Sequence, residues 1–187
     1  MSEKMSDTAK EEVINELTIA LEKLRRGMDA RLIPEVGSNL VYALPGARDP
    51  GDVAGVEGRI VRLRGSIHPV GEVAFGASDH IARIVLTAMR FDPEVRSAAN
   101  IRFSDTLAKL LEELSFDLCW FDRTQEPPGI RTMDWGVASC CKDHVPDSII
   151  DRGAVGKEPM IRILGPDPMS VTNTIVMLSS RITNMEI

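Results

Sequence analysis

A chain of 187 residues is near the size of one compact domain and short for two. With 43% hydrophobic and 27% charged residues it can bury a real core, which excludes a disordered chain. Its 22 Lys and Arg against 28 Asp and Glu leave a net charge of -6, so nucleic acid and acidic membrane are disfavoured partners, and an anionic ligand must meet a local positive cluster.

The opening MSEKMSDTAKEE is charged and lacks the apolar core of a signal peptide, and no later stretch approaches the roughly 18 apolar residues that cross a bilayer. A cytoplasmic protein is expected. Val13, Leu17, Ala20, Leu21 and Leu24 recur at helical spacing, predicting an amphipathic helix over 8–26 that stops at Gly27. The following IPEVGSNLVYALPGARDPGDV reads as loop, short strand, loop. Residues 53–75 read as two strands, VEGRIVRLRGSI and VGEVAF, with a turn near His68 and Pro69.

Ser78 stands at an N-cap before Ile81, Ile84, Val85 and Ala88, predicting a helix over 79–90. Phe91-Asp92-Pro93-Glu94 carries a capping Asp and a Pro at the first helical position, the marks of a second, short helix. A strand over 100–103 leads to Ser104, which caps a helix bearing Leu107, Leu110, Leu111 and Leu114; FDLCWF then reads as a buried strand. Residues 122–156 are rich in Pro, Gly, Asp and Arg without clear periodicity, as functional loops often are. A strand over 159–164 and a helix opened by Asp167-Pro168 complete the chain, giving one mixed α/β domain over 1–187.

Period-two alternation puts Glu57, Arg59, Val61 and Leu63 on one strand face. An arginine beside inward aliphatics needs a partner, either Glu57 or a phosphate that its planar fork can hold in bidentate fashion. If Ser78 is a cap, Asp79 and His80 fall in the first helical turn, where unpaired N–H groups favour anions and a neutral imidazole, and Arg83 adds positive potential one turn on. The same position suits an ordinary surface histidine. Gly37, Ser38 and Asn39 in VGSN, Gly76 and Ser78 in FGAS, and Arg152, Gly156 and Lys157 in DRGAVGKEP lie in glycine stretches that can hold phosphate or simply turn. Walker A and GxGxxG loops are absent, as are GxSxG and HExxH. His68 and His144 sit in turn-like contexts without metal-ligand spacing, and Cys119, Cys140 and Cys141 lack CxxC spacing, so they read as free, buried thiols. Trp120 reads as core and Trp135 as a flank for a flat ring. No basic stripe accompanies either as a nucleic-acid platform would require.

The segments LIPEVGSNLVYALP, DVAGVEGRIVR, FGASDHIARIVLTAMRFDPEVRSAANIRF, FDR with Glu126-Pro127, and PDSIIDRGAVGKEPMIRILG occur in one order. Together they resemble the ThiN family, the archaeal-type thiamine phosphate synthase domain often fused behind a hydroxymethylpyrimidine kinase, over about residues 10–183. The resemblance implies a three-layer α/β/α fold with a mixed sheet, like class II aldolase (AraD-like) proteins. It also implies condensation of hydroxymethylpyrimidine diphosphate with hydroxyethylthiazole phosphate, with Mg2+ accompanying the diphosphate and a homodimer as the assembly. The family's essential arginine and histidine fall on Arg59 and His80. Two such substrates bring roughly five negative charges, so Arg59, Arg83, Arg123, Arg152 or Lys157 are expected at one mouth. The kinase portion is not expected in this chain. The segment before IPEVGSN reads as one helix, so the helix-turn-helix of the family's regulators is not expected here. A thiamine phosphate-sensing, noncatalytic domain is the alternative reading, and retained Arg59 and His80 favour the enzyme. A metal-dependent lyase would need a histidine cluster that the sequence lacks.

Overall fold

The structure is a computed structural model and describes residues 2–122 and 132–187. The apolar stripe of the first segment forms α1 (Ser2–Gly27), which starts earlier than the spacing predicts and buries Val13, Leu17, Ala20, Leu21 and Leu24. The next apolar run forms β1 (Leu40–Ala43), buried throughout.

Residues 53–75 make four short strands in place of the two expected: β2 (Val53–Val56), β3 (Ile60–Leu63), β4 (Ser66–Pro69) and β5 (Val73–Phe75). The backbone explains the difference. Gly58 and Arg59, at φ 68° and 75°, turn the chain out of β2, while Arg64 and Gly65, at φ 51° and 79°, close a two-residue hairpin between β3 and β4. Positive φ at both central residues is what a type I′ hairpin turn needs to match the twist of its strands. Arg59 therefore occupies a corner, not a strand face, and Leu63 is exposed.

Helix α2 (Asp79–Met89) begins at the predicted cap, with the Ile81 N–H donating to Ser78 Oγ at 3.4 Å. The capping signals at 91–94 produce only a turn, in which the Glu94 N–H donates to Asp92 Oδ1 at 3.0 Å, because the chain is drawn at once into β6 (Ser97–Arg102). Ser104 caps α3 (Asp105–Glu113), and β7 (Leu118–Phe121) follows. The stretch left open by the sequence contributes α4 (Thr132–Cys140) and β8 (Ser148–Asp151), and Asp167 caps α5 (Pro168–Arg181) after β9 (Met160–Gly165).

Seven strands form one mixed sheet in the order β5-β2-β1-β6-β9-β8-β7, antiparallel at every pairing except β7 with β8. The β3–β4 hairpin stands apart as a second, two-stranded sheet. Pleating sorts the side chains of the larger sheet into two sets. Leu40, Tyr42, Ala54, Ile101 and Ile161 pack with α1, α3 and α5, while Val41, Ala43, Ala98, Ile149 and Leu164 pack with α2 and α4. Trp135 on α4 packs against this second cluster, whereas Trp120, expected in the core, is 39% exposed beneath the Arg152 guanidinium at 4.9 Å. His68 is exposed on β4, and His144 lies 2.5 Å from Asp117 on the surface.

Two features of this core were not foreseen. Arg162, in the apolar run of β9, is fully buried and donates to the equally buried Asp151 at 2.7 Å. Cys119 on β7 and Cys140 at the end of α4 form a disulfide, with Cα atoms 5.7 Å apart. Sequence spacing is no guide to that pair, since a strand and a helix far apart in the chain bring it together, and only Cys141 remains a thiol, which burial pushes up to about 11. Unreduced protein, once denatured, should titrate one thiol per chain, and three would contradict the disulfide. Arg162→Met should lower stability in urea unfolding by about 3–5 kcal/mol, because Asp151 would be left charged and buried; replacing both partners by apolar residues should cost less than the single change.

Candidate active site

Strand alternation carries Asn39 and Asn100 onto the face covered by α2, where both are buried. Buried amides must find partners, and these do so through the backbone. Asn100 accepts the Asn39 N–H at 2.8 Å on its side-chain oxygen, and its NH2 donates to the Gly37 carbonyl at 3.0 Å. The Asn39 side chain accepts the Val56 N–H at 2.9 Å and donates to the Val56 carbonyl at 2.8 Å. Two side chains thus clamp the 34–39 loop to β6 and to the end of β2.

The clamp sets the corner that carries Arg59. Ser38 and Ile60 exchange backbone hydrogen bonds at 2.9 and 2.8 Å. Gly37 has φ 83°, and a Cβ there would lie 3.2 Å from the Ile60 carbonyl and 3.4 Å from Cβ and Cδ of Arg59. The arginine stem therefore lies along a bare backbone, and Nη1 donates to the Val36 carbonyl. Arg59 makes no ion pair with Glu57 among the described residues; the Glu57 N–H instead bonds the Glu72 carbonyl at 3.0 Å.

The start of α2 faces this corner. Gly55 on β2 lets the cap lie close to the sheet, since a Cβ there would be tight against Val41 at 3.1 Å and Asn39 Oδ1 at 3.3 Å and in contact with Ser78 at 3.5 Å. Asp79 and His80 follow in the first turn, at the positive end of the helix dipole. A third wall comes from the turn after β8, in which Ala154 and Lys157 exchange backbone bonds at 3.1 and 2.8 Å. The Glu158 carboxylate accepts the N–H groups of Glu35 and Val36 at 2.9 and 3.3 Å, tying this turn to the loop that bears Gly37.

Between the three walls lies a cleft of about 470 Å³. Arg59 and His80 line it together, with Gly37, Ser38 and Asn39 from one stretch, Ser78 from the second and Gly156 and Lys157 from the third. Ser38 Oγ is buried there and has no hydrogen-bond partner among the described residues. Other residues from the sequence reading fall elsewhere. Gly76 lies outside the walls, Arg83 is bound by Asp79 at 2.9 Å, and Arg152 lines a separate hollow with Trp120; Arg123 lies outside the described residues. Sequence reasoning passed over Asn100, Glu158 and Met160. Asn100 sits in the strand segment SAANIR, where only a buried polar residue among small and apolar neighbours hints at a structural task.

A guanidinium, a lysine and a helix start against two carboxylates, Asp79 and Glu158, make the cleft suited to an anion. Fold and site together define a mixed α/β protein with an anion-suited cleft at the rim of its sheet. The chain belongs to the ThiN family: the family described as thiamine-phosphate synthase ThiN matches residues 16–177. The bifunctional thiamine biosynthesis protein ThiDN of Methanocaldococcus jannaschii is 46% identical over 169 residues, which is 89% of this chain and 40% of that protein. This chain thus spans about two fifths of that relative's length. The thiamine-phosphate synthase ThiN of Methanothermobacter thermautotrophicus is 35% identical over 165 residues, covering 84% of this chain and 87% of that one. The crystal structure of the C-terminal domain of a phosphomethylpyrimidine kinase superposes with a TM-score of 0.86 at 46% identity, over 90% of this chain and 99% of the other. YgbL of Klebsiella pneumoniae, grouped with aldolases, epimerases and decarboxylases, matches at a TM-score of 0.50 and 14% identity over 97% of this chain and 92% of the other, a likeness of fold alone.

Asn100→Ala should strand the Asn39 N–H and the Gly37 carbonyl. The expected loss is about 1–3 kcal/mol for each orphaned group in denaturant unfolding, and an unchanged midpoint would show that the amide clamp carries little.

Proposed function

We propose that the chain joins hydroxymethylpyrimidine diphosphate to hydroxyethylthiazole phosphate, forming thiamine phosphate and releasing pyrophosphate. The observation that supports this reading is the meeting of Arg59 and His80 on one cleft in a member of the ThiN family. In the reaction the bond from the pyrimidine methylene to the diphosphate oxygen breaks, its electron pair leaving with pyrophosphate, and the lone pair of the thiazole nitrogen forms the new C–N bond. Positive charge develops on the methylene and negative charge on the leaving group. A catalyst must therefore hold the diphosphate more tightly as it departs and keep the thiazole nitrogen in line.

Arg59 is the residue for the leaving group, because a planar fork makes two charge-assisted bonds to phosphoryl oxygens at once. His80 donates a hydrogen bond to the same diphosphate from the first turn of α2, with Ser38 Oγ and Lys157 as further donors. Magnesium enters with the diphosphate in this reading, supplying charge neutralisation when bound. It needs only one or two protein carboxylates besides phosphate and water, and Asp79 and Glu158 are those on the cleft wall. We read the helix sets on the two sides of the sheet as the outer layers of a three-layer α/β/α fold of the class II aldolase kind. A cytoplasmic site of action goes with phosphorylated substrates; none of the described helices is long and apolar enough to cross a membrane.

Purified protein with both substrates and magnesium should form thiamine phosphate, measured as the product's fluorescence after oxidation. Arg59→Ala should lower kcat/KM by about 10²–10³ with an unaltered circular dichroism spectrum. Tight binding of thiamine phosphate by wild-type protein without any turnover would replace this reading by a sensing one.

A further inference from the structure

A second hollow, of about 860 Å³, adjoins the cleft and shares Val36, Gly37 and Lys157 with it as a common wall. Its distinctive side chains are Arg62 on β3, Arg102 at the end of β6 and Phe103. Five other arginines are held in ion pairs: Arg25 and Arg26 bond Glu22, Arg31 bonds Asp29, Arg83 bonds Asp79 and Arg162 bonds Asp151. Arg62 and Arg102 are exposed and enter no hydrogen bond or ion pair among the described residues. In a chain of net charge -6, two unpaired guanidinium groups from distant strands converge on one hollow.

We propose that this hollow seats the phosphate of the second substrate, a monophosphate ester carried by a flat heteroaromatic ring, with Arg62 and Arg102 as its clamp. The inference rests on the reaction proposed above and adds residues to it. Two guanidinium forks suit the several acceptor oxygens of a dianionic monophosphate. Glu35 and Glu158 also line the hollow, but the Glu158 carboxylate already accepts two backbone N–H groups, and with Lys157 the cations outnumber the carboxylates. Phe103, held edge to face against Trp120 with ring centroids 6.0 Å apart, offers an apolar surface to the ring. Because the hollow and the cleft are neighbours with lining residues in common, an ester anchored at Arg62 and Arg102 lies beside the cleft, within range to direct its ring nitrogen at a carbon whose diphosphate lies by Arg59. Orientation of that sort lowers the barrier of a two-substrate reaction.

The test is steady-state kinetics and calorimetric titration of wild-type protein, Arg62→Ala, Arg102→Ala and the double variant. Each single change should raise KM for hydroxyethylthiazole phosphate about tenfold, the loss expected of a charge-assisted hydrogen bond, while KM for the pyrimidine diphosphate stays within about twofold. The preference for phosphorylated over unphosphorylated hydroxyethylthiazole should fall in step. An unchanged KM for the thiazole phosphate, or an equal rise in both KM values, overturns the assignment. If wild-type protein binds both compounds but forms no product, the reaction is wrong, and the subsite is still decided by calorimetry: weaker binding of hydroxyethylthiazole phosphate to the double variant keeps it, and equal binding removes it.

Discussion

Two buried asparagines hold the site in register. The Asn100 side chain accepts the Asn39 N–H and donates to the Gly37 carbonyl, and the Asn39 side chain bonds both backbone polar groups of Val56, all at buried positions. Loss of any of these contacts would leave a buried polar group unpaired, so the loop over 34–39 and the end of β2 can share only one arrangement. That arrangement delivers the Gly58-Arg59 corner to the start of α2. The Ser38–Ile60 bridge and the bare backbone at Gly37 then fix where the arginine stem lies.

The same face of the sheet carries a second polar element in line with the first. Asn100 is opposite Arg162 in the β6–β9 register, and Arg162 reaches Asp151 on the next strand. A fully buried ion pair of this kind is a poor source of net stability but a strict one of geometry, since a one-residue slip would strand a charge in the core. It stands directly before the turn that presents Gly156, Lys157 and Glu158. Buried amides under one wall and a buried ion pair under another hold in place the elements that bring an exposed arginine, lysine and histidine to one cleft.

Much of the local structure was legible in the sequence because it depends on neighbours within one turn of helix or one pleat. Ser78, Ser104 and Asp167 cap the helices they were expected to cap, and the apolar spacing of α1, α2, α3 and α5 is reflected in their buried faces. The exceptions share a cause. Phe91 to Glu94 has good helix-start signals, yet sheet pairing of the next six residues overrides them. The 53–75 segment has the alternation of long strands, but paired positive φ values at Gly58-Arg59 and Arg64-Gly65 cut it into short ones.

The sequence alone was enough to define a folded, acidic α/β chain of ThiN character, the cap that orients α2, and Arg59 and His80 as residues of interest, because composition, capping and motif order are properties of the chain taken a few residues at a time. Tertiary structure alone decided which polar groups meet. Arg83 is taken by Asp79 and Arg152 lies over Trp120, whereas Lys157 and Ser38 line the cleft with Arg59, and Cys119 finds Cys140. Such partnerships depend on the order of strands in the sheet and on the direction each side chain takes from the backbone, and neither is written in the spacing of residues along the chain.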